Sequence, residues 1–84
     1  MSVKILYFAS LRETLSCAEE SLPLPAGVAT VGALREVLCA RGGEWRALAS
    51  GRAVRAAVNQ ELAQALQPIK AGDEIAFFPP VTGG

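Results

Sequence analysis

Apolar residues recur along this chain in two rhythms, and each rhythm predicts a different kind of element. Val3-Lys4-Ile5-Leu6-Tyr7-Phe8 is rich in β-branched and aromatic residues and reads as a first strand that ends in Ala9-Ser10. If Lys4 is solvated, the period of two places Val3, Ile5 and Tyr7 toward the core and leaves Leu6 and Phe8 on the outward side. A second strand is predicted over residues 20–24, where Pro23 confines it to an edge or a ladder-free position, and Pro25-Ala26-Gly27 turns the chain. The rhythm then changes. Thr30 stands as an N-cap ahead of Val31, Leu34, Val37 and Leu38 at helical spacing, with Arg41 in the last turn and Gly42 at the C′ position. Cys39 lies beside this stripe, and residues 44–49, with Trp45 and Leu48, predict a short helical turn over one end of the core.

A third strand is expected over residues 54–58, a tight turn at Asn59-Gln60, and a short strand at Glu61-Leu62. Lys70-Ala71-Gly72-Asp73 predicts the turn of a last hairpin, followed by a strong terminal strand over residues 74–78. The order predicts an α+β fold, a mixed sheet with one main helix packed across one face. In the terminal strand Ile75 and Phe77 share one face and Glu74, Ala76 and Phe78 the other. With Glu74 solvated, Phe78 is exposed. If the first and last strands are neighbours, Phe8 and Phe78 share an outward apolar surface. Such a patch marks a partner site more often than a lone exposed residue does, the alternative being that a loop or the Trp45 segment covers it.

The chain has 84 residues, enough for one small domain over positions 1–84, with residues 79–84 expected as a flexible tail. Eight basic residues balance eight acidic ones, so nothing attracts a nucleic-acid backbone or an anionic membrane from a distance. The apolar start is too short for a signal core and no stretch approaches the length of a membrane span, which predicts a cytoplasmic location. Cys17 and Cys39 form no CxxC and are expected as reduced, structural thiols.

Histidine is absent, which removes the commonest general base and metal ligand together, and no metal site is predicted. The acid pairs Glu19-Glu20 and Asp73-Glu74 would point to opposite faces if extended, and no glycine-rich phosphate loop follows a strand. A self-contained enzyme is not expected. Attention moves to Pro79-Pro80-Val81-Thr82-Gly83-Gly84, where two prolines favour an extended backbone and two glycines remove every side chain before the free carboxylate. The tail reaches roughly 20 Å at about 3.3 Å per extended residue, far enough to carry its carboxyl into another protein. A frayed terminus is the plainer alternative.

Tyr7-Phe8-Ala9-Ser10-Leu11-Arg12-Glu13, Ala57-Val58-Asn59-Gln60-Glu61-Leu62 and the run from Gly72-Asp73-Glu74 through Phe77-Phe78-Pro79-Pro80 to Gly83-Gly84 resemble the small subunits of molybdopterin synthase. The resemblance covers essentially the whole chain and is most specific in the last segment. It implies a ubiquitin-like β-grasp fold and a sulfur carrier for molybdenum-cofactor biosynthesis, non-catalytic, with no stably bound cofactor. In that family an E1-like activating enzyme adenylates the terminal carboxylate, here Gly84, with ATP and Mg²⁺. Sulfur from a separate sulfurtransferase then replaces AMP to leave a thiocarboxylate.

The same resemblance implies that Pro79, Pro80, Val81, Thr82 and Gly83 enter the large synthase subunit, where sulfur passes to cyclic pyranopterin monophosphate to build the dithiolene. Two large subunits and two small ones form the family's heterotetramer. Phe8, Leu62 and Phe78 match its interface positions, and Arg12 is either a polar contact to a partner or a solvated loop charge. A thiamine-type sulfur carrier and a ubiquitin-like protein modifier are the alternatives, since the same activation serves all three.

Overall fold

The structure, a computed structural model, describes residues 2–49 and 53–80. Along these the chain forms β1 (Ser2–Tyr7), α1 (Ala9–Leu15), β2 (Glu19–Pro23), α2 (Val31–Cys39), a 3₁₀ segment (Gly43–Leu48), β3 (Arg55–Val58), β4 (Glu61–Ala63) and β5 (Glu74–Phe78). The strands make one sheet in the order β2-β1-β5-β3-β4, with β1 and β5 parallel at its centre and the other pairs antiparallel.

Strand parity works as predicted. Val3, Ile5 and Tyr7 are buried, and the register sets Ile5 beside Ile75 and Tyr7 beside Phe77, so β1 and β5 present one apolar face to the helices. Val31, Leu34 and Leu38 on α2 and Leu48 on the 3₁₀ segment complete this core, with Trp45 packed at its margin. β1, β5 and β3 each have neighbouring strands on both sides, and the central pair β1 and β5 supplies the largest fully buried side chains of the sheet, Ile5, Tyr7, Ile75 and Phe77. Pro23 ends β2 at the sheet edge, where its missing N–H leaves no ladder bond unmade.

Thr30 caps α2 as expected: its Oγ1 accepts from the Ala33 N–H at 3.1 Å. The next orphan donors find chain carbonyls, Val31 N–H donating to Gln67 and Gly32 N–H to Ala65. The far end differs from expectation. The helix stops at Cys39, Ala40 is the C-cap, and Arg41 lies past the last turn. Gly42, at φ +80°, opens the 3₁₀ segment instead of closing the helix as C′.

Two further expectations are corrected. One helix was expected, but α1 forms as well, burying Leu11 and Leu15 at a spacing of four and closing on Ser16 in the left-handed region. Its N-cap is Phe8, whose side chain makes no cap bond, and Ala9 turns the chain at φ +52°. Second, the turn before β5 is not that of a hairpin: β5 pairs with β1 and β3, and residues 64–73 form no strand against it. That segment lacks the β-branched alternation a strand needs, and Pro68 interrupts it; it crosses to α2 instead, with a bridge between Thr30 and Pro68.

The Asn59-Gln60 turn is observed, both residues at positive φ (49° and 72°), the geometry of a two-residue hairpin turn between β3 and β4. Asn59 also ties this turn to the start of β5: its Oδ1 accepts from Glu74 N–H at 3.0 Å and its Nδ2 donates to Asp73 at 3.1 Å. Buried Asp73 accepts in addition from Lys70 N–H at 2.8 Å.

Candidate functional site

Among the described residues no helix covers the outward face of the sheet, which is apolar at one end. Register lines up Leu6, Ala76, Ala57 and Leu62 across β1, β5, β3 and β4. One step toward the exit of β5, Phe78 lies beside Arg55, while Phe8 follows directly on β1 and its N–H donates to the Phe77 carbonyl. At the opposite end the same face is polar, with Lys4 opposite Glu74 and an ion pair from Lys4 to Glu19 at 3.7 Å. The apolar surface therefore gathers where β5 leads into Pro79 and Pro80.

Phe8 is 46 % exposed and Leu62 75 %. Phe78 shares their face but is half-buried, not fully exposed as strand parity suggested, because it lies on the central strand between neighbours on both sides. Arg12 stands exposed on α1, one turn from Phe8, whose carbonyl accepts its backbone N–H at 3.3 Å; no ion pair engages its side chain among the described residues. Pro79 and Pro80 are half-buried at the root of the tail. Val81, Thr82, Gly83 and Gly84 lie outside the described residues. Leu66, 85 % exposed, is a further surface apolar residue that no periodicity signalled, because it sits in the irregular crossing segment.

Beneath the site a polar network braces the core. The Tyr7 hydroxyl donates to Glu20 at 2.9 Å, and Arg41 grips the same carboxylate with both terminal nitrogens at 2.9 Å. The Arg41 guanidinium lies 4.4 Å from the centre of the Trp45 ring, Trp45 meets Tyr7 edge-on, and Tyr7 stacks on Phe77. The bond from Arg41 holds the Glu20 carboxyl below its usual range, with the Tyr7 hydroxyl adding to the effect. Burial, then the hydrogen bond to Glu20, pushes the Tyr7 phenol far up, so it remains a neutral donor. Burial likewise raises the Cys17 thiol, which favours the inert, protonated form. Cys17 and Cys39 are both free thiols.

Among the described residues no group of three or more His, Cys, Asp or Glu side chains could hold a metal ion, and no helix is long and apolar enough to cross a membrane. Beside the apolar face, a groove of about 500 Å³ runs between α2, β3, β4 and Pro80, bordered by Arg35, Arg55 and Leu62. Arg35 is committed to carbonyls, donating to Leu48, to Ala49 at 3.0 Å and to Val54 at 3.5 Å, and so ties the end of the 3₁₀ segment to the residue before β3. What the arrangement offers is an exposed apolar surface beside the point where β5 runs into Pro79 and Pro80.

The sheet order, the parallel central pair and the helix across one face define a ubiquitin-like β-grasp domain. Solved structures share the fold over the whole chain. SAMP1 from Haloferax volcanii matches with a TM-score of 0.75 and 30 % identity, covering 100 % of both chains. A chain in the complex of subunits 1 and 2 of the molybdopterin-converting factor from Helicobacter pylori matches with a TM-score of 0.66 and 27 % identity, again over 100 % of both. The profile of the ThiS family matches residues 5–84, and the chain belongs to that family. It is 40 % identical over 82 residues to the molybdopterin synthase sulfur carrier subunit of Escherichia coli, covering 98 % of this chain and 99 % of that protein. The Haemophilus influenzae protein of the same name is 42 % identical over 83 residues, with the same coverage.

Proposed function

We propose that this chain is the sulfur-carrier subunit of a molybdopterin synthase and that Gly84 carries the sulfur. The observation that supports this best is the near full-length similarity to two proteins of that name, on a fold whose last strand leaves the sheet at an uncovered apolar face.

A carboxylate resists attack because its oxygen is a poor leaving group. An activating enzyme with ATP and Mg²⁺ joins the Gly84 carboxylate to AMP and releases pyrophosphate; a persulfide-type sulfur donor then attacks the carbonyl and expels AMP. A thiol then attacks the donor's sulfur in the resulting acyl disulfide, forming a new disulfide with the donor and releasing the terminus as a thiocarboxylate. Its sulfur is a soft nucleophile, and the carrier supplies position and reach while its partners supply acid–base groups. In the large synthase subunit the sulfur passes to cyclic pyranopterin monophosphate, and water restores the Gly84 carboxylate. The missing side chain at Gly84 leaves its carbonyl open to attack, and that at Gly83 keeps the tail thin enough for a tunnel. Residues 79–83 enter the partner, while Phe8, Leu62 and Phe78 form the docking face with Arg12 at its margin. The chain itself is non-catalytic, works in the cytoplasm and belongs to a heterotetramer with two large subunits.

A ubiquitin-like modifier is the second reading, favoured by the likeness to the small archaeal modifier protein 1 of Haloferax volcanii. Mass spectrometry of the C-terminal peptide separates the two after incubation with activating enzyme, ATP, Mg²⁺ and a sulfur donor, using thiol-selective alkylation. An alkylatable sulfur on Gly84 is the expected product. Isopeptide bonds to lysines with no sulfur on the terminus would favour the modifier.

A further inference from the structure

We infer that Arg55 is a specificity-determining contact, which receives a carboxylate from the large synthase subunit in the groove beside the docking face. The inference rests on the reading of the Phe8, Phe78 and Leu62 surface as the place where that subunit binds.

Arg55 opens β3 on the outward side, directly across from Phe78 on β5, so its guanidinium borders the apolar face at the point where the chain departs through Pro79 and Pro80. It is exposed, and no hydrogen bond or ion pair engages its side chain among the described residues. The acids of the outward sheet face are elsewhere: Glu74 lies opposite Lys4 at the far end of β5, and Glu19 lies beside Leu6 on β2, where it pairs with Lys4. A solitary exposed arginine is ordinarily just a solvated charge. This one differs because it also lines the groove of about 500 Å³, and the groove is continuous with the apolar face through Leu62 and Pro80.

The floor of the groove is made of small residues. Gly32 lies so close to the crossing segment that a Cβ there would stand 3.1 Å from the Ala65 carbonyl oxygen, and its own N–H already donates to that oxygen. The N-terminus of α2 is thus satisfied and offers no anion site. Arg35 on the opposite wall is held by backbone carbonyls. Arg55 is left as the cation that can turn to an incoming group, and its planar fork suits a carboxylate accepted by two parallel bonds. An extended segment of the large subunit, apolar where it meets Leu62 and acidic where it meets Arg55, is complementary to this wall.

The test is titration calorimetry of the full-length chain against its large subunit, at low and at roughly physiological ionic strength. Arg55→Glu is expected to weaken binding about tenfold or more at low salt, Arg55→Gln less, with both effects shrinking as salt screens the pair. Thermal unfolding should be the same for all three proteins, because the side chain supports no contact of the fold. The Arg55→Glu effect should persist in a chain lacking Gly83 and Gly84; its disappearance there would assign Arg55 to the chain's own terminal carboxylate and overturn the inference. Unchanged affinity for Arg55→Glu beside a weakened Phe8→Ala would also overturn it while leaving the docking face intact. Unchanged affinity for both would remove the docking face itself. Weakened binding to the activating enzyme alone would contradict the assignment to the large subunit.

Discussion

The two faces of the sheet are both apolar where they meet the exit of β5, yet one is closed and the other open. On the inner side Ile5, Tyr7, Ile75 and Phe77 lie under α2 and the 3₁₀ segment and are fully buried. On the outer side Leu6, Phe78, Leu62 and Phe8 have no layer above them among the described residues, and Phe8 and Leu62 are exposed. Phe77 and Phe78 make the contrast within a single dipeptide. One strand supplies a core residue and, one position later, a surface residue of the same type, because side chains alternate across the pleat. Burial on one face stabilises the chain by itself; apolar area on the other is realised only when something binds.

Substitution within that dipeptide tests the contrast most severely. Phe77→Ala should destabilise the domain by about 3–5 kcal/mol, around half of the roughly 5–10 kcal/mol a domain this small commands, and its urea midpoint should fall steeply. Phe78→Ala should retain a cooperative transition near that of the parent, losing at most about 1–1.5 kcal/mol for its half-buried ring. An Ala at position 78 as costly as one at 77 would abolish the distinction between the faces. Binding should reverse the order: Phe78→Ala and Leu62→Ala are expected to weaken association with the large subunit by about 1–3 kcal/mol in calorimetry, with Leu62→Ala almost neutral in stability.

Asp73→Ala should cost about 1–3 kcal/mol by leaving the Lys70 N–H and the Asn59 amide without their acceptor, read from the denaturation midpoint. Hydrogen bonds from Lys70 N–H, then from Asn59, hold the Asp73 carboxyl below its ordinary value, as Arg41 and Tyr7 do for Glu20. Both groups have lower pKa values folded than unfolded. Their stabilisation is therefore complete above the ordinary carboxylate range near pH 4 and is lost as pH falls through the folded values. Thermal unfolding against pH should show stability declining below about pH 4, and Glu20→Gln should make that decline shallower. Smallest is Thr30→Ala, expected to cost about 1 kcal/mol through loss of the α2 cap.

Much of the fold was legible in the sequence wherever a local signal coincided with burial. Lys4 fixed the parity of β1, Thr30 marked the start of α2, and Asn59-Gln60 marked a turn whose residues tolerate positive φ. The failures have physical causes. α1 spans fewer than two full turns and begins at Phe8 without a side-chain cap, so its signature is only the four-residue step from Leu11 to Leu15. The parallel placement of β5 against β1 joins segments about 70 positions apart, and no local pattern encodes that choice over a hairpin. For the site, parity pointed to Phe8 and Phe78 from residues alone, while Leu62 and Arg12 came from family resemblance. The Tyr7, Glu20 and Arg41 network was out of reach because its members are 13 and 21 positions apart. Arg55 gained meaning only when the register set it beside Phe78.

The most direct test of the carrier assignment is a single-turnover reaction of the large subunit with cyclic pyranopterin monophosphate and this chain bearing a thiocarboxylate at Gly84, measured by the appearance of dithiolene product. The expected result is product formed in proportion to the thiocarboxylate supplied, with Gly84 returned to an ordinary carboxylate and no product from the unmodified chain. Binding of the thiocarboxylated chain without any sulfur transfer, beside an active control carrier, would contradict the assignment.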